Sequence, residues 1–112
     1  MKLRELSDKL SLEQVCGPHD EEREVTRCYA GDILSDVMAH APDGCIWLTL
    51  QTHGNIVAVA SLKEMAGIIL VNGHRPDEET VAKAEAEAIP LFVTTRTCYE
   101  TAGMLYRMGI VG

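Results

Sequence analysis

Cys45-Ile46-Trp47-Leu48-Thr49-Leu50, then Gln51-Thr52-His53-Gly54, then Asn55-Ile56-Val57-Ala58-Val59-Ala60-Ser61-Leu62-Lys63-Glu64-Met65, and finally Gly67-Ile68-Ile69-Leu70-Val71 form the stretch on which the architecture turns. The first and last runs have strand length, turn residues at their borders and no polar alternation, as expected of strands buried on both faces. The middle run is ambiguous. Ile56 to Ala60 has strand propensity, whereas Ala58, Leu62 and Met65 fit one face of a helix. Topology arbitrates: two parallel neighbours need a crossover, and a helix over 55–65 supplies it.

The same alternation extends outward. Residues 76–88 open with Pro76-Asp77-Glu78-Glu79 and continue Val81, Ala84 and Ala88 on one face, which predicts a helix. Ile89 to Thr94 reads as a strand with Pro90 at its start, and Thr97 caps a last helix whose Thr101, Met104, Leu105 and Met108 share a face. Upstream, Val25 to Ala30 reads as a strand and Asp32 as the cap of a helix burying Ile33, Leu34, Val37 and Met38. Before it come a short amphipathic helix over 2–10, with Leu3, Leu6 and Leu10, and a strand within 11–16 stopped by Gly17-Pro18. The expectation is one α/β domain over residues 1–112, a three-layer, mainly parallel β-sheet with helices on both faces.

Composition limits what such a domain does. The 112 residues carry a formal charge of −7, are 46% hydrophobic and only 4% aromatic, so the core is aliphatic. The acidic balance argues against a broad grip on nucleic acid or an anionic membrane. Neither a signal-like start nor a membrane-length apolar stretch is present, which predicts a cytoplasmic protein.

Three polar loops stand out, because each closes an apolar run and opens a helix: 51–55, 72–76 and 94–97. In a parallel sheet they gather with the loop after residue 30 at the carboxyl edge, where such folds bind ligands. Helix N-termini there favour phosphate or carboxylate. The candidate binding residues are Asp32, Thr52, His53, Asn72, Gly73, His74, Arg75, Thr95 and Arg96. Each also has a structural reading. Thr52 and Asn55 are ordinary caps, Asn72-Gly73 an ordinary turn, and Arg75 a partner for Glu78 or Glu79.

Catalytic motifs are missing. The chain has no phosphate-binding G-x-x-x-x-G-K-[ST], no G-x-G-x-x-G, no G-x-S-x-G and no H-E-x-x-H. Asp32 and Asp36 on one helix face would be paired carboxylates, but a cap and a solvated side chain explain them more simply. The four cysteines are scattered without a C-x-x-C pair, so neither a disulfide scaffold nor a zinc site is expected. His53 and His74, on adjacent loops, are the one conceivable metal pair. Cys98, in the first turn of the last helix, is read as inert rather than reactive. No cofactor is implied.

The run Val25-Thr26-Arg27-Cys28-Tyr29-Ala30-Gly31-Asp32-Ile33-Leu34-Ser35-Asp36-Val37-Met38, with Trp47 to His53 and Asn55 to Ala60, resembles the DRTGG domain family. Gly31-Asp32-Ile33-Leu34-Ser35 is its most distinctive segment. The resemblance implies a fold like the N-terminal domain of HPr kinase/phosphorylase and a regulatory or ligand-sensing module, often homodimeric, without catalytic residues of its own. Members occur alone, beside CBS domains in some pyrophosphatases, or within phosphotransacetylases. The chain departs from the eponymous pattern: Val71-Asn72-Gly73-His74 stands where Thr-Gly-Gly is predicted, and the Asp-Arg pair is replaced within 55–60. The expected function is a non-catalytic sensing domain for a small anionic ligand, a nucleotide or phosphorylated metabolite. A homodimeric adaptor, suggested by the amphipathic first helix and Met104 to Met108, is the alternative.

Overall fold

In the computed structural model, which describes residues 1–112, ten elements follow one another: α1 (Leu3–Leu10), β1 (Glu13–Cys16), β2 (Cys28–Ala30), α2 (Leu34–His40), β3 (Ile46–Thr49), α3 (Asn55–Leu62), β4 (Gly67–Leu70), α4 (Glu78–Ala86), β5 (Leu91–Val93) and α5 (Cys98–Arg107). They form one five-stranded sheet in the order β1-β5-β4-β3-β2. Strands β2 to β5 pair in parallel, and β1 closes the sheet antiparallel to β5. The mainly parallel sheet expected from the sequence is present.

Each crossover from β2 to β5 steps the same way across the sheet, and a constant hand then puts all three helices on one face. So it is: Val37 of α2, Ile56, Val57, Val59 and Ala60 of α3 and Ala84 of α4 pack with Trp47, Ile68, Leu70, Leu91 and Val93. Alternate strand residues, Ile46, Leu48, Ile69, Val71 and Phe92, face the other way. That second face is covered by the two ends of the chain. Leu3, Leu6 and Leu10 of α1 join Leu105 of α5 and Ile110 in one cluster there, all buried. Each leucine so enclosed contributes roughly 1.5–3 kcal/mol relative to exposure.

The middle segment is a helix, as topology requires, but its inward face is not the expected one. Ala58 and Leu62 are exposed, Leu62 to 73%, and Met65 is buried beyond the helix end. A strongly apolar helix can turn several faces inward; here the β-branched side fits the sheet. In α2, likewise, only Val37 is fully buried, while Ile33 is 70% exposed. Ala88 lies past the end of α4 in a left-handed conformation, φ 55°.

Capping also departs from expectation in two places. Ile33, not Asp32, occupies the cap of α2, and Gly54 that of α3, both without a side-chain cap bond. Thr97 caps α5 as read, accepting from the Glu100 amide at 3.2 Å. Asp77 does the same for α4, accepting from the Thr80 amide at 2.8 Å. No helix is long and apolar enough to cross a membrane.

Candidate functional site

Because β2 to β5 are parallel, the loops that follow them meet at one edge of the sheet. Two of them are tied together. The Asn72 amide donates to the Arg96 carbonyl at 2.7 Å and the Gly73 amide to the Thr94 carbonyl at 2.9 Å. Asn72 and Gly73 adopt consecutive left-handed conformations, φ 59° and 74°, which Asn and Gly tolerate best. This double turn swings Arg75 toward the start of β1.

The result is a cleft of about 590 Å³ lined by Ser11, Glu13, Gly73, Arg75, Val93, Thr94, Thr95 and Arg96. Two guanidinium groups enter it. Arg75 forms a two-point pair with Glu13, Nη2 to Oε2 at 2.6 Å and Nη1 to Oε1 at 3.0 Å, instead of the expected partners Glu78 or Glu79. The pair holds the Glu13 carboxyl below its ordinary range. Arg96 donates through Nη1 to the Leu10 carbonyl, fastening the end of α1. A guanidinium has five N–H donors, so both arginines retain donors for a further anion.

The remaining predicted residues lie elsewhere on the edge. Asp32 Oδ1 accepts from the Thr49 hydroxyl at 2.9 Å and the Leu50 amide at 2.8 Å, closing the end of β3 rather than capping α2. Gln51 Nε2 donates to the Asp32 carbonyl at 3.1 Å. The Thr52 carbonyl accepts from the buried Thr80 hydroxyl at 2.9 Å, and His53 Nδ1 lies 3.5 Å from Asp77 Oδ2. The Thr80 hydroxyl and amide, with a smaller contribution from His53, keep the Asp77 carboxyl below its usual range. His74 is exposed, and no donor cluster forms around it and His53. The structure thus brings together Gly73, Arg75, Thr95 and Arg96, with Asn72 as hinge, and separates Asp32, Thr52 and His53 from them.

Asp36 does not pair with Asp32. Its carboxylate accepts from the Tyr29 hydroxyl and faces His40 Nδ1 at 3.0 Å. At Cys98 burial, reinforced by Asp32, raises the thiol pKa, the direction that disfavours the thiolate. Ser11 and Glu13 were missed in the sequence, because β1 arrives from outside the repeating βα order and carries no loop motif. A second group was missed too: Cys16, His19 and Glu85 converge at the opposite end of β1.

A mainly parallel, three-layer domain with a cleft holding two arginines at its carboxyl edge is the class defined by these features. The family model for the DRTGG domain matches residues 5–108, and the chain belongs to that family. Among solved structures it is similar to the CBS and DRTGG domains of the regulatory region of Clostridium perfringens pyrophosphatase, a complex with the activator diadenosine tetraphosphate. The two share 20% identity at a TM-score of 0.71 over 93% of this chain. The match spans 45% of that chain, less than half its length. No curated protein matches.

Proposed function

We propose that this chain is a regulatory domain that binds a small anionic ligand, a nucleotide or phosphorylated metabolite, in the cleft between the 72–75 and 94–96 loops. The single observation behind this reading is the convergence of Arg75 and Arg96 on one cleft in a molecule of net charge −7. Such a concentration of guanidinium suits phosphate, which accepts two-point hydrogen bonds. The N-terminus of α5, following Arg96 directly, adds partial positive charge. The nucleotide class gains support from the activator bound by the regulatory region of the clostridial pyrophosphatase. Ligand contacts fall to Gly73, Arg75, Thr95 and Arg96, with Asn72 shaping the loop; Asp32, Thr52, His53 and His74 serve the edge around it.

The test is calorimetric titration with diadenosine tetraphosphate, ATP, AMP and inorganic phosphate, paired with thermal unfolding. A ligand at tenfold excess over its Kd stabilises by about 1.4 kcal/mol. Absence of heat and of any thermal shift with all four at about 1 mM overturns the reading.

A homodimeric module is the second reading, favoured by the outward apolar side chains Tyr99 and Tyr106 of α5, 89% and 67% exposed. The features that first suggested it do not carry it. Leu3, Leu6 and Leu10 are spent inside the chain, and Met104 and Met108 are half-buried against the same core. Light scattering that returns a strict monomer removes this reading.

A further inference from the structure

At the end of β1 away from the cleft, Cys16, the turn Gly17-Pro18 and His19 fold against α4. Cys16 Sγ lies 3.2 Å from Glu85 Oε2, and His19 Nε2 lies 3.2 Å from Glu85 Oε1. The three donor atoms all fall within 4.8 Å of one another. Cys16 is 3% exposed, and His19 Nε2 is enclosed yet makes no aligned hydrogen bond, a costly state for a buried polar atom. A sulfur, an imidazole nitrogen and a carboxylate oxygen thus point at a common centre.

We propose that Cys16, His19 and Glu85 form a site for a divalent transition metal, with zinc the best match. The donor set excludes magnesium and calcium, which take oxygen ligands, and fits zinc, which accepts thiolate, imidazole and carboxylate together. Zinc bonds of ~2.0–2.3 Å in tetrahedral geometry set donor atoms roughly 3.3–3.6 Å apart. Glu85 oxygens already sit 3.2 Å from the sulfur and from the imidazole nitrogen, and the sulfur and nitrogen, within 4.8 Å of one another, close toward that range on binding. Cys16 and His19 stand three residues apart, a common metal-ligand spacing, and Glu85 joins from α4. When the metal–sulfur bond forms, the thiol proton leaves to solvent. Three protein donors leave a fourth position, on the side where the Glu85 side chain is 57% exposed, for water or an external ligand.

The bound ion would fasten the β1 turn to α4, giving β1 a second anchor besides its pairing with β5. The experiment uses the whole chain, stripped with chelator and titrated with Zn²⁺ against a chromophoric competitor, then with Co²⁺ followed by absorbance. One ion per chain and a thiolate-to-cobalt charge-transfer band are expected. Cys16→Ser should abolish the band, and His19→Ala and Glu85→Gln should each weaken Zn²⁺ binding at least about 10-fold. Circular dichroism checks folding, and Glu85→Gln at its exposed position keeps the test decisive if Cys16→Ser does not fold. Absence of saturable one-to-one binding overturns the site. So does a band that persists in Cys16→Ser, or an affinity unchanged in Glu85→Gln.

Discussion

Arg75 and Glu13, both lining the cleft, are joined by two parallel hydrogen bonds, 2.6 and 3.0 Å long, between a loop at the carboxyl edge and the antiparallel edge strand. Glu13 therefore occupies the guanidinium face that a phosphate would use. The pair is exposed on both sides, so it competes with a ligand at little structural cost. Glu13→Gln should tighten binding of a phosphorylated ligand by about 3- to 10-fold, with the gain shrinking as salt rises. Titrations at low and moderate ionic strength check it; weaker binding in the variant would show that Glu13 helps rather than competes.

Arg96 has two duties, and they separate by substitution. Arg96→Ala removes both the cleft cation and the donor to the Leu10 carbonyl, so affinity should fall at least about 10-fold and stability by about 1.5 kcal/mol. Arg96→Lys keeps the charge and loses the fork. It should recover part of the affinity, as read by calorimetry, and little of the stability, as read by urea unfolding.

Asp77 makes stability fall in acid. Its folded-state pKa is lowered by the Thr80 hydroxyl and amide, so its contribution is fully present above the unfolded value of about 3.9 and is lost as pH drops through the lower folded value. Asp77→Asn should flatten that part of the urea midpoint profile below about pH 4 while leaving the neutral side parallel to wild type. An unchanged acid limb would assign the loss to other carboxylates, Asp36 foremost, whose pKa the Tyr29 hydroxyl also lowers.

Leucines of equal hydrophobicity differ sharply in worth here. Leu6→Ala, at a fully buried position, should cost about 2–5 kcal/mol, whereas Leu62→Ser, at a position 73% exposed, should stay within about 0.5 kcal/mol. Denaturant unfolding of both variants tests the assignment of inward and outward faces. Equal losses would put the packing of α3 in question.

The repeating part of the fold was legible because periodicity and topology agree there: Cys45 to Val71 requires strand, helix, strand, and the structure has them. Element faces were less so. In α3 nearly every residue is apolar, so no polar stripe marks the solvent side, and Leu62 could not be told from Ile56. Asp32 shows a different limit. An acid before a helix reads as a cap, yet Thr49 and Leu50, distant in sequence, offered it better-placed donors. The cleft was half legible: Gly73, Arg75, Thr95 and Arg96 announced themselves as loop residues, whereas Glu13 belongs to it only because β1 pairs antiparallel with β5. The group of Cys16, His19 and Glu85 was not legible: without a C-x-x-C pair no zinc site was expected, and only folding brings α4 beside β1.

The covering of one sheet face by α1 and α5 sets the order in which the chain can fold. The βα units from β2 to β5 make their contacts between near neighbours in sequence, but Leu3, Leu6 and Leu10 reach Leu105 and Ile110 only by closing a loop of almost the entire chain. That closure adds little to the equilibrium cost, because its entropy grows only logarithmically with length, yet it has to precede the contacts that reward it. Although α1 also bonds locally to Glu21 and Arg23, docking of its leucines on the α5 side is expected to be a late event, after the rate-limiting barrier. In stopped-flow experiments Leu6→Ala should accelerate unfolding and leave the refolding rate nearly unchanged; a slowed refolding limb would place α1 in the nucleus instead.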